Sequence, residues 1–360
     1  MTPPPTAPTP DPDTPTTPLR RPETTTPTTE MHLPAPATTP KAPRPRPEGT
    51  ALEPSPSHTP PAGAGPYRST PASAAGPLAT VPGASRPLVL DAGGVPLSAL
   101  LAEPAAGPPR ATILAVHGRG TGAAYWNSFL PAATALGHTV LAVDRPGYGE
   151  SAGFLPEGLP LAEQAAALHA ALKDYSRTHD TGAGVFLLGH SDGGKVALHT
   201  AATEGALPLL GLDTSGTGYR YHPEALHFPT TLGGGATKLN WGPLHLYPPG
   251  TFRASRSLLS ATPPRESAET VHWPRQFEAL APHVRVPVRL TFAEHEMWWE
   301  LDEATLAEMT SLLTGSPSAG AVHLPAAGHN IGLGRTAPAY HLAVLTFLEQ
   351  CLERAKVAAG

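Results

Sequence analysis

The sequence predicts an α/β protein whose mostly parallel sheet is covered by helices on both faces. Three observations support this prediction. Apolar runs of strand length alternate with helical segments, several runs end in glycine-rich loops, and the chain before residue 86 shows neither feature. Strands that alternate with helices are typical of a parallel sheet, because each helix packs back onto the sheet between two strands.

The elements follow in order from about residue 88. A hairpin turning at Gly93-Gly94 is expected to form the antiparallel edge of the sheet. Continuous apolar runs, suited to strands buried on both faces, follow at 111–118, from 138, and at 184–189, 207–213, 286–294 and 321–328. Helices are predicted at about 126–136, 160–179, from 193 onward, at 303–313 and at 337–357.

One stretch interrupts the alternation, from about residue 216 to 284. It lacks a regular pattern but is rich in aromatic residues, which are Tyr219, Tyr221, Phe228, Trp241, Tyr247, Phe252, Trp273 and Phe277. A long stretch without clear elements inside a compact domain is usually functional or a small subdomain. We interpret these residues as a cap segment, and their aromatic content favours a bulky, aromatic or apolar small-molecule substrate.

The composition of the chain changes at about residue 85. More than half of the 47 prolines fall in the first 90 residues, and a stretch such as "MTPPPTAPTPDPDTPTTP" has almost nothing to bury. Such a segment cannot offset the entropy that it would lose on ordering. The sequence therefore predicts a disordered Pro/Thr-rich tail at 1–85 and one folded domain at 86–360.

Composition also argues against several classes of protein. The start of the chain lacks the basic residues and apolar core of a signal peptide, and no stretch reaches the roughly 18 apolar residues of a membrane helix. The net charge of −5 comes without a basic cluster, which argues against nucleic acid as a partner.

Cys351, the single cysteine, forms no internal disulfide and has the spacing of a core residue. We expect a cytoplasmic protein with a small-molecule partner and no membrane contact, and the residue bias indicates a GC-rich bacterial genome.

The stretch "LLGHSDGGKVAL" at 187–198 carries the strongest chemical signal. Gly189-His190-Ser191-Asp192-Gly193 fits the pattern Gly-x-Ser-x-Gly and lies between a predicted buried strand and a helix. In that context the sharp turn exposes the serine, and glycines on either side avoid a steric clash. Ser191 is therefore the candidate nucleophile, provided that a base takes its proton.

Position selects the base among 17 histidines. His329 follows the last predicted strand, where open α/β sheets place their sites, whereas His117 precedes a glycine and is interpreted as a turn-shaping residue. An acid should orient the imidazole and stabilise its charged form. Glu296, after the preceding strand in "TFAEHEMWWE", is favoured, and Glu294 and Asp213 are the alternatives.

Five motifs in this order resemble the α/β-hydrolase fold superfamily over about residues 88–357. They are "VHGRG" at 116–120, "DRPGYGES" at 144–151, "GHSDGG" at 189–194, "AEHE" at 293–296 and "AGHN" at 327–330. The resemblance implies Ser191 as nucleophile, His329 as base and Glu296 as acid, with glutamate standing where the family more often has aspartate. It also implies an oxyanion hole formed by the backbone N–H groups of Asp192 and Arg119.

The side chains near this site allow more than one interpretation. Asp192 begins a helix, so its carboxylate is expected to interact favourably with the helix dipole. Arg119 either contacts an acidic part of the substrate or faces solvent. Trp241, Trp273 and Trp298 are the candidate pocket residues, and packing between the cap segment and the core is the alternative for these aromatic side chains.

We expect a serine hydrolase that cleaves a carboxylic ester or thioester through an acyl-enzyme, with no metal or organic cofactor. "HEMWWE" lacks the second histidine of the zinc motif that its first residues suggest. A serine nucleophile also argues against the epoxide-hydrolase and dehalogenase branches, which by resemblance attack with aspartate. The alternatives are an acyltransferase or cyclase, a C–C hydrolase or perhydrolase, and a non-catalytic binding module. The natural substrate and the oligomeric state stay open.

Overall fold

A computed structural model describes residues 84–227 and 234–359, and these contain an eight-stranded sheet. The strands are β1 (Ser85–Asp91), β2 (Pro96–Ala102), β3 (Thr112–Val116), β4 (Thr139–Val143), β5 (Val185–His190), β6 (Leu209–Ser215), β7 (Val288–His295) and β8 (Ala319–Gly328). Their order across the sheet is β1-β2-β4-β3-β5-β6-β7-β8. β2 pairs antiparallel with β1 and with β4, and all other pairs are parallel. The predicted fold class and its antiparallel edge are confirmed.

Helices cover both faces of this sheet. They are α1 (Leu130–Ala135), α2 (Leu161–Tyr175), α3 (Asp192–Ala202), α4 (Gly234–Trp241), α5 (Thr251–Ala254), α6 (Pro264–Glu269), α7 (Trp273–Leu280), α8 (Glu303–Leu312) and α9 (Ala337–Ala359). Apolar side chains of α2, α3, α7 and α8 pack on one face, and those of α1 and α9 pack on the other. Cys351 is buried in the second layer, as predicted.

The central strands are buried along their whole length, as their continuous apolar sequences predicted. Their parallel register aligns the carboxyl ends of the strands, because Val116 of β3 lies opposite Gly189 of β5. His190 at the end of β5 lies opposite Ser215 at the end of β6. Loops that leave β3, β5, β7 and β8 therefore meet at one edge of the sheet.

The sequence of the cap segment shows no regular alternation of strands and helices, but its described residues contain the short helices α4, α5, α6 and α7. Each of these helices has four to eight residues, so none completes the longer window in which helical periodicity becomes recognisable. Phe228, one of the aromatic residues predicted to belong to the cap, lies outside the described residues, as does the predicted tail over residues 1–83.

Other predicted bounds shift by a few residues. The helix predicted at 126–136 is a 3₁₀ turn (Ala123–Trp126) followed by the shorter α1. The strand predicted at 207–213 ends two residues later, so that it reaches Ser215. Among the described residues, no helix is long and apolar enough to cross a membrane.

Candidate active site

The turn between β5 and α3 holds Ser191 in a strained conformation. Its φ is +52° and its ψ is −122°, in a region that residues with a side chain rarely adopt. The glycines around it allow this turn. A Cβ on Gly189 would lie 2.5 Å from Gly194 Cα, and a Cβ on Gly193 would overlap the His117 carbonyl oxygen. The Gly-x-Ser-x-Gly pattern thus corresponds to a sharp strand-to-helix turn that exposes the serine hydroxyl.

Ser191, His329 and Glu296 form a continuous chain of contacts. Ser191 Oγ lies 3.1 Å from His329 Nε2. His329 Nδ1 lies 2.7 Å from Glu296 Oε2 and 2.9 Å from Oε1. Because an ionised carboxylate only accepts hydrogen bonds, its position assigns the proton to Nδ1 and leaves the Nε2 lone pair facing the serine hydroxyl.

Glu296 is held firmly in this position. Its side chain is fully buried, and Oε1 also accepts hydrogen bonds from the backbone N–H groups of Met297 (3.1 Å) and Trp298 (3.0 Å). These donors satisfy a buried carboxylate that would otherwise be costly to keep ionised. The carboxylate is therefore oriented by the loop after β7 as well as by the imidazole.

The two alternative acids have other partners. Glu294 is exposed, and its Oε2 accepts a hydrogen bond from the backbone of Ala326 at 2.7 Å. Asp213 is buried within β6, where it pairs with Arg289 and lies 3.3 Å from the hydroxyl of Tyr340. Burial raises the pKa of Asp213 to about 6, an effect that Arg289 partly offsets. The geometry therefore favours Glu296 over both alternatives.

The loop after β3 brings backbone close to the serine. A Cβ on Gly118 would lie only 3.1 Å from Ser191 Cβ, so the next residue, Arg119, follows directly beside the nucleophile. Asp192 is the first residue of α3, and the first N–H groups of a helix have no partner within it. The backbone of both residues thus lies close to the serine, and their role as an oxyanion hole stays a prediction.

His117 shapes this loop. Its Nδ1 lies 2.8 Å from the carbonyl oxygen of Gly118, and its Nε2 accepts a hydrogen bond from the backbone N–H of Arg145 at 3.1 Å. Complete burial, with the positive charge of Arg145 nearby, lowers the pKa of His117 well below its usual range. The ring is therefore neutral, which fits its interpretation as a turn-shaping residue.

The Arg119 side chain does not face solvent, so that alternative is wrong. Its Nε donates to Asp192 Oδ2 at 2.5 Å, and only 13% of the side chain is exposed. Lys195 Nζ lies 2.7 Å from the other carboxylate oxygen of Asp192. Burial would raise the pKa of Asp192, but Arg119 and then Lys195 outweigh it and hold that pKa well below its usual value. Asp192 thus links two cations in addition to starting a helix.

Two further side chains of the site were missed in the sequence. Lys195 is buried, donates to the hydroxyl of Tyr221 at 3.1 Å, and lies within 5.5 Å of the ring centroids of Tyr221, Trp273 and Trp299. Its position four residues after the serine, on the same helix face, was the available signal. His190 stacks on Tyr125 at 4.8 Å, and burial followed by repulsion from His329 lowers its pKa to about 3.

A cavity of about 800 Å³ opens onto Ser191 and His329. Its aromatic walls include Tyr221, Trp241, Phe252, Trp298 and Trp299, and its aliphatic walls include Leu258, Leu259 and Leu333. Trp241 and Trp298 therefore line the cavity, as predicted. Trp273 does not: it is fully buried in the core, where its Nε1 donates to the carbonyl oxygen of Gly218 at 2.7 Å. Within residues 84–227 and 234–359, no group of three His, Cys, Asp or Glu residues could hold a metal ion.

The fold and the cavity define an α/β enzyme whose site lies at the carboxyl edge of its sheet. The chain belongs to the alpha/beta hydrolase family, whose model matches residues 113–339. The protein is therefore a hydrolase. Among curated proteins, none is significantly similar to the chain in sequence.

Solved structures share the fold at low sequence identity. A thermostable carboxyl esterase from Bacillus coagulans is 18% identical, with a TM-score of 0.59 over 75% of this chain and 99% of that one. The 2-hydroxy-6-oxo-6-phenylhexa-2,4-dienoate hydrolase from Rhodococcus sp. strain RHA1 is 18% identical, with a TM-score of 0.57 over 73% and 99%. A thioesterase domain from the curacin biosynthetic pathway is 16% identical, with a TM-score of 0.52 over 73% and 99%. At these identities the similarity concerns the fold.

Proposed function

We propose that this hydrolase cleaves a carboxylic ester or thioester of a bulky, aromatic or apolar small molecule through an acyl-enzyme on Ser191. The observation that supports the proposal is the unbroken chain of contacts from Glu296 through His329 to Ser191. A serine hydroxyl is a weak nucleophile unless a base is within hydrogen-bonding distance, and here the base is itself oriented by a carboxylate.

In the first half of the reaction, His329 Nε2 takes the proton of Ser191 as Oγ bonds to the acyl carbon. The carbonyl oxygen becomes an oxyanion that the backbone N–H groups of Asp192 and Arg119 stabilise. Glu296 stabilises the imidazolium through Nδ1. The bond from the acyl carbon to the leaving oxygen or sulfur then breaks, and His329 returns the proton to the leaving group.

In the second half, His329 Nε2 takes a proton from water as the water oxygen attacks the acyl carbon. The same N–H groups stabilise the second oxyanion. The bond between the acyl carbon and Ser191 Oγ then breaks, and His329 protonates Oγ. The acid leaves, and the enzyme returns to its starting state without a cofactor.

The walls of the cavity support the substrate class. Trp241, Phe252 and Trp298 provide aromatic surface in the cavity that His329 also lines, and the volume of about 800 Å³ is large enough for a drug-sized molecule. A small polar ester would leave most of this apolar surface in contact with water. A bulky apolar acyl or alkyl group would cover it, which is a gain of about 25 cal/mol per Å² of apolar surface buried.

A fluorophosphonate probe and mass spectrometry test this proposal. We expect the probe to label the wild-type protein once, at Ser191, and not to label Ser191→Ala. The matched control is Ser176→Ala, which removes a half-buried serine at the end of α2 and should label normally. A mass increase by the acyl group during ester turnover would support the acyl-enzyme, and product masses with an added amine separate hydrolysis from acyl transfer. Labelling that persists in Ser191→Ala would contradict the proposal.

A further inference from the structure

The charged side chains that line the cavity are mostly positive. Arg119, Lys195 and Arg256 face it, and the only negatively charged side chain among its described lining residues is Asp192. The segment 228–233, which lies outside the described residues, contains no charged residue in its sequence. A cavity with walls of one sign and little exposure to water concentrates ligands of the opposite charge.

The neighbouring carboxylate does not cancel this excess. Glu266 is buried and pairs with Arg145, and it also accepts hydrogen bonds from Tyr148 (2.7 Å) and Gln164 (2.8 Å). Arg119 Nε lies 4.0 Å from Glu266 Oε1, beyond hydrogen-bonding distance. Within the part of the chain that the structure describes, three cations (Arg119, Arg145 and Lys195) therefore share two carboxylates (Asp192 and Glu266), so that positive charge exceeds negative charge in this group.

Keeping such a charge out of water is costly unless something compensates it. The three rings around Lys195 compensate part of the cost through cation–π contacts. Its ammonium group has three N–H donors, and among the described residues two oxygen atoms accept from it, one of Asp192 and one of Tyr221. Lys195 thus has both a charge and a donor to offer to a ligand in the cavity.

We propose that the substrate carries a second, negatively charged group, of which a carboxylate is the simplest, and that this group binds between Arg119 and Lys195. The inference rests on the proposed function, because it concerns the molecule that Ser191 attacks. Lys195 lies one helical turn after the nucleophile, and one turn rises about 5.4 Å. The anionic group is therefore separated from the reacting carbonyl by only a few atoms. Arg256, exposed at the rim of the cavity, attracts the same charge as the substrate enters.

Two matched ester pairs test this proposal and locate the charge. One pair carries it on the acyl side: the 4-nitrophenyl esters of (4-carboxyphenyl)acetic acid and of its neutral carboxamide analogue. The other carries it on the leaving group: the acetate esters of 4-hydroxybenzoate and 4-hydroxybenzamide. For each ester, kcat/KM is divided by the rate constant of its alkaline hydrolysis. In at least one pair, we expect this normalised value to be at least tenfold higher for the carboxylate than for the carboxamide. Equal values in both pairs would overturn the proposal.

Three variants assign the preference to the cavity cations. Lys195→Met leaves Asp192 paired with Arg119, and it should reduce the carboxylate-to-carboxamide ratio to below threefold. Arg256 is exposed, so Arg256→Gln leaves the buried ion pairs intact. This variant should reduce the carboxylate-to-carboxamide ratio by about two- to fourfold. Arg253→Gln is the matched control, since Arg253 is exposed on the same segment but does not line the cavity. A ratio that is unchanged in a folded Lys195→Met protein and in Arg256→Gln would also overturn the proposal.

Binding to Ser191→Ala separates this proposal from the proposed function. Calorimetry with the same esters should give a Kd for the carboxylate member at least tenfold lower than for the carboxamide in the preferred pair. A binding preference without probe labelling or turnover in the wild-type protein would contradict the proposed function alone. Turnover of all esters, with no preference in kcat/KM or Kd, would contradict the anionic subsite alone.

Discussion

The carboxyl edge of the sheet and the cap segment border the same cavity, but their residues are held differently. Ser191, Glu296 and His329 each follow directly on a strand, and the parallel register fixes the distances between those strand ends. Trp241 and Phe252 come from short helices, and Trp241 is half-buried while Phe252 is exposed. The difference indicates that the sheet sets the geometry of the candidate triad, whereas part of the cap segment sets the shape of the cavity.

The cap segment is itself divided. Its first part, with α4 and α5, contributes the aromatic walls of the cavity. Its last part belongs to the core, because Glu266 of α6 pairs with Arg145 and Trp273 of α7 packs against the sheet layer. Three sets of changes, ordered from the largest expected effect to the smallest, test this division between chemistry, cavity shape and core packing, and a fourth concerns a buried histidine outside both regions.

Loss of the nucleophile or of the base should have the largest effect. We expect Ser191→Ala and His329→Ala each to lower kcat by about 10⁴–10⁶, and the double variant to lower it little further, because the two residues act as a unit. Steady-state turnover of 4-nitrophenyl esters measures this, and circular dichroism checks the fold. Two losses that multiply in the double variant would show that the residues act independently.

Loss of the acid should have an intermediate effect. Glu296→Gln keeps the shape of the side chain but removes the charge that stabilises the imidazolium, so kcat should fall by about 10²–10⁴. Glu294→Gln, two residues away and exposed, is the control and should stay within a few-fold of wild type. Asp213→Asn tests the remaining alternative. If a folded Asp213→Asn enzyme loses its activity while Glu296→Gln keeps normal activity, the acid is Asp213 of β6 and not Glu296.

The division of the cap segment predicts opposite results for two tryptophans. Trp273→Ala should lower the free energy of unfolding by about 3–5 kcal/mol, because it empties a core position and removes a buried hydrogen bond. Trp241→Ala should cost less stability and instead lower discrimination between bulky and small acyl esters. Urea denaturation and kcat/KM ratios measure the two effects. Equal selectivity changes in both variants would show that the cap segment acts as one unit.

The smallest effect concerns a buried histidine away from both regions. Burial lowers the pKa of His341 to about 4, and its Nε2 has no hydrogen-bond partner among the described residues. Because this pKa lies below the ordinary value of about 6.5, the contribution of the neutral histidine to the free energy of unfolding is fully present above about pH 6.5. It is lost progressively as the pH falls from about 6.5 through 4. His341→Phe should therefore reduce the loss in unfolding free energy between pH 7.5 and pH 5 by about 2 kcal/mol. Urea denaturation at the two pH values checks this. Equal losses of unfolding free energy in the wild type and in His341→Phe would show that another group causes the loss of stability at low pH.

The sequence predicted most of the sheet and selected the candidate triad residues, because each of these follows a continuous apolar run and lies in a short motif. It did not predict the partners of the charged residues. Arg145 and Glu266 are 121 residues apart, and no local pattern connects them. Aromatic composition indicated apolar surface in the cap segment, but it could not distinguish Trp241 at the cavity from Trp273 in the core, since both uses bury the ring. The catalytic roles stay predictions until they are measured.

The ion pair between Arg145 and Glu266 also joins α6 to the loop after β4. A motion that lifted α6 from the sheet layer would separate two buried charges, and breaking such a pair costs about 3–5 kcal/mol. At equilibrium the lifted form would then account for only about one molecule in 10²–10⁴. Among the described residues, α4 and α5 carry no buried ion pair of this kind, and the pair on α4, between Lys238 and Glu224, is exposed. We therefore expect any widening of the cavity to displace these two helices at a lower cost in free energy than α6.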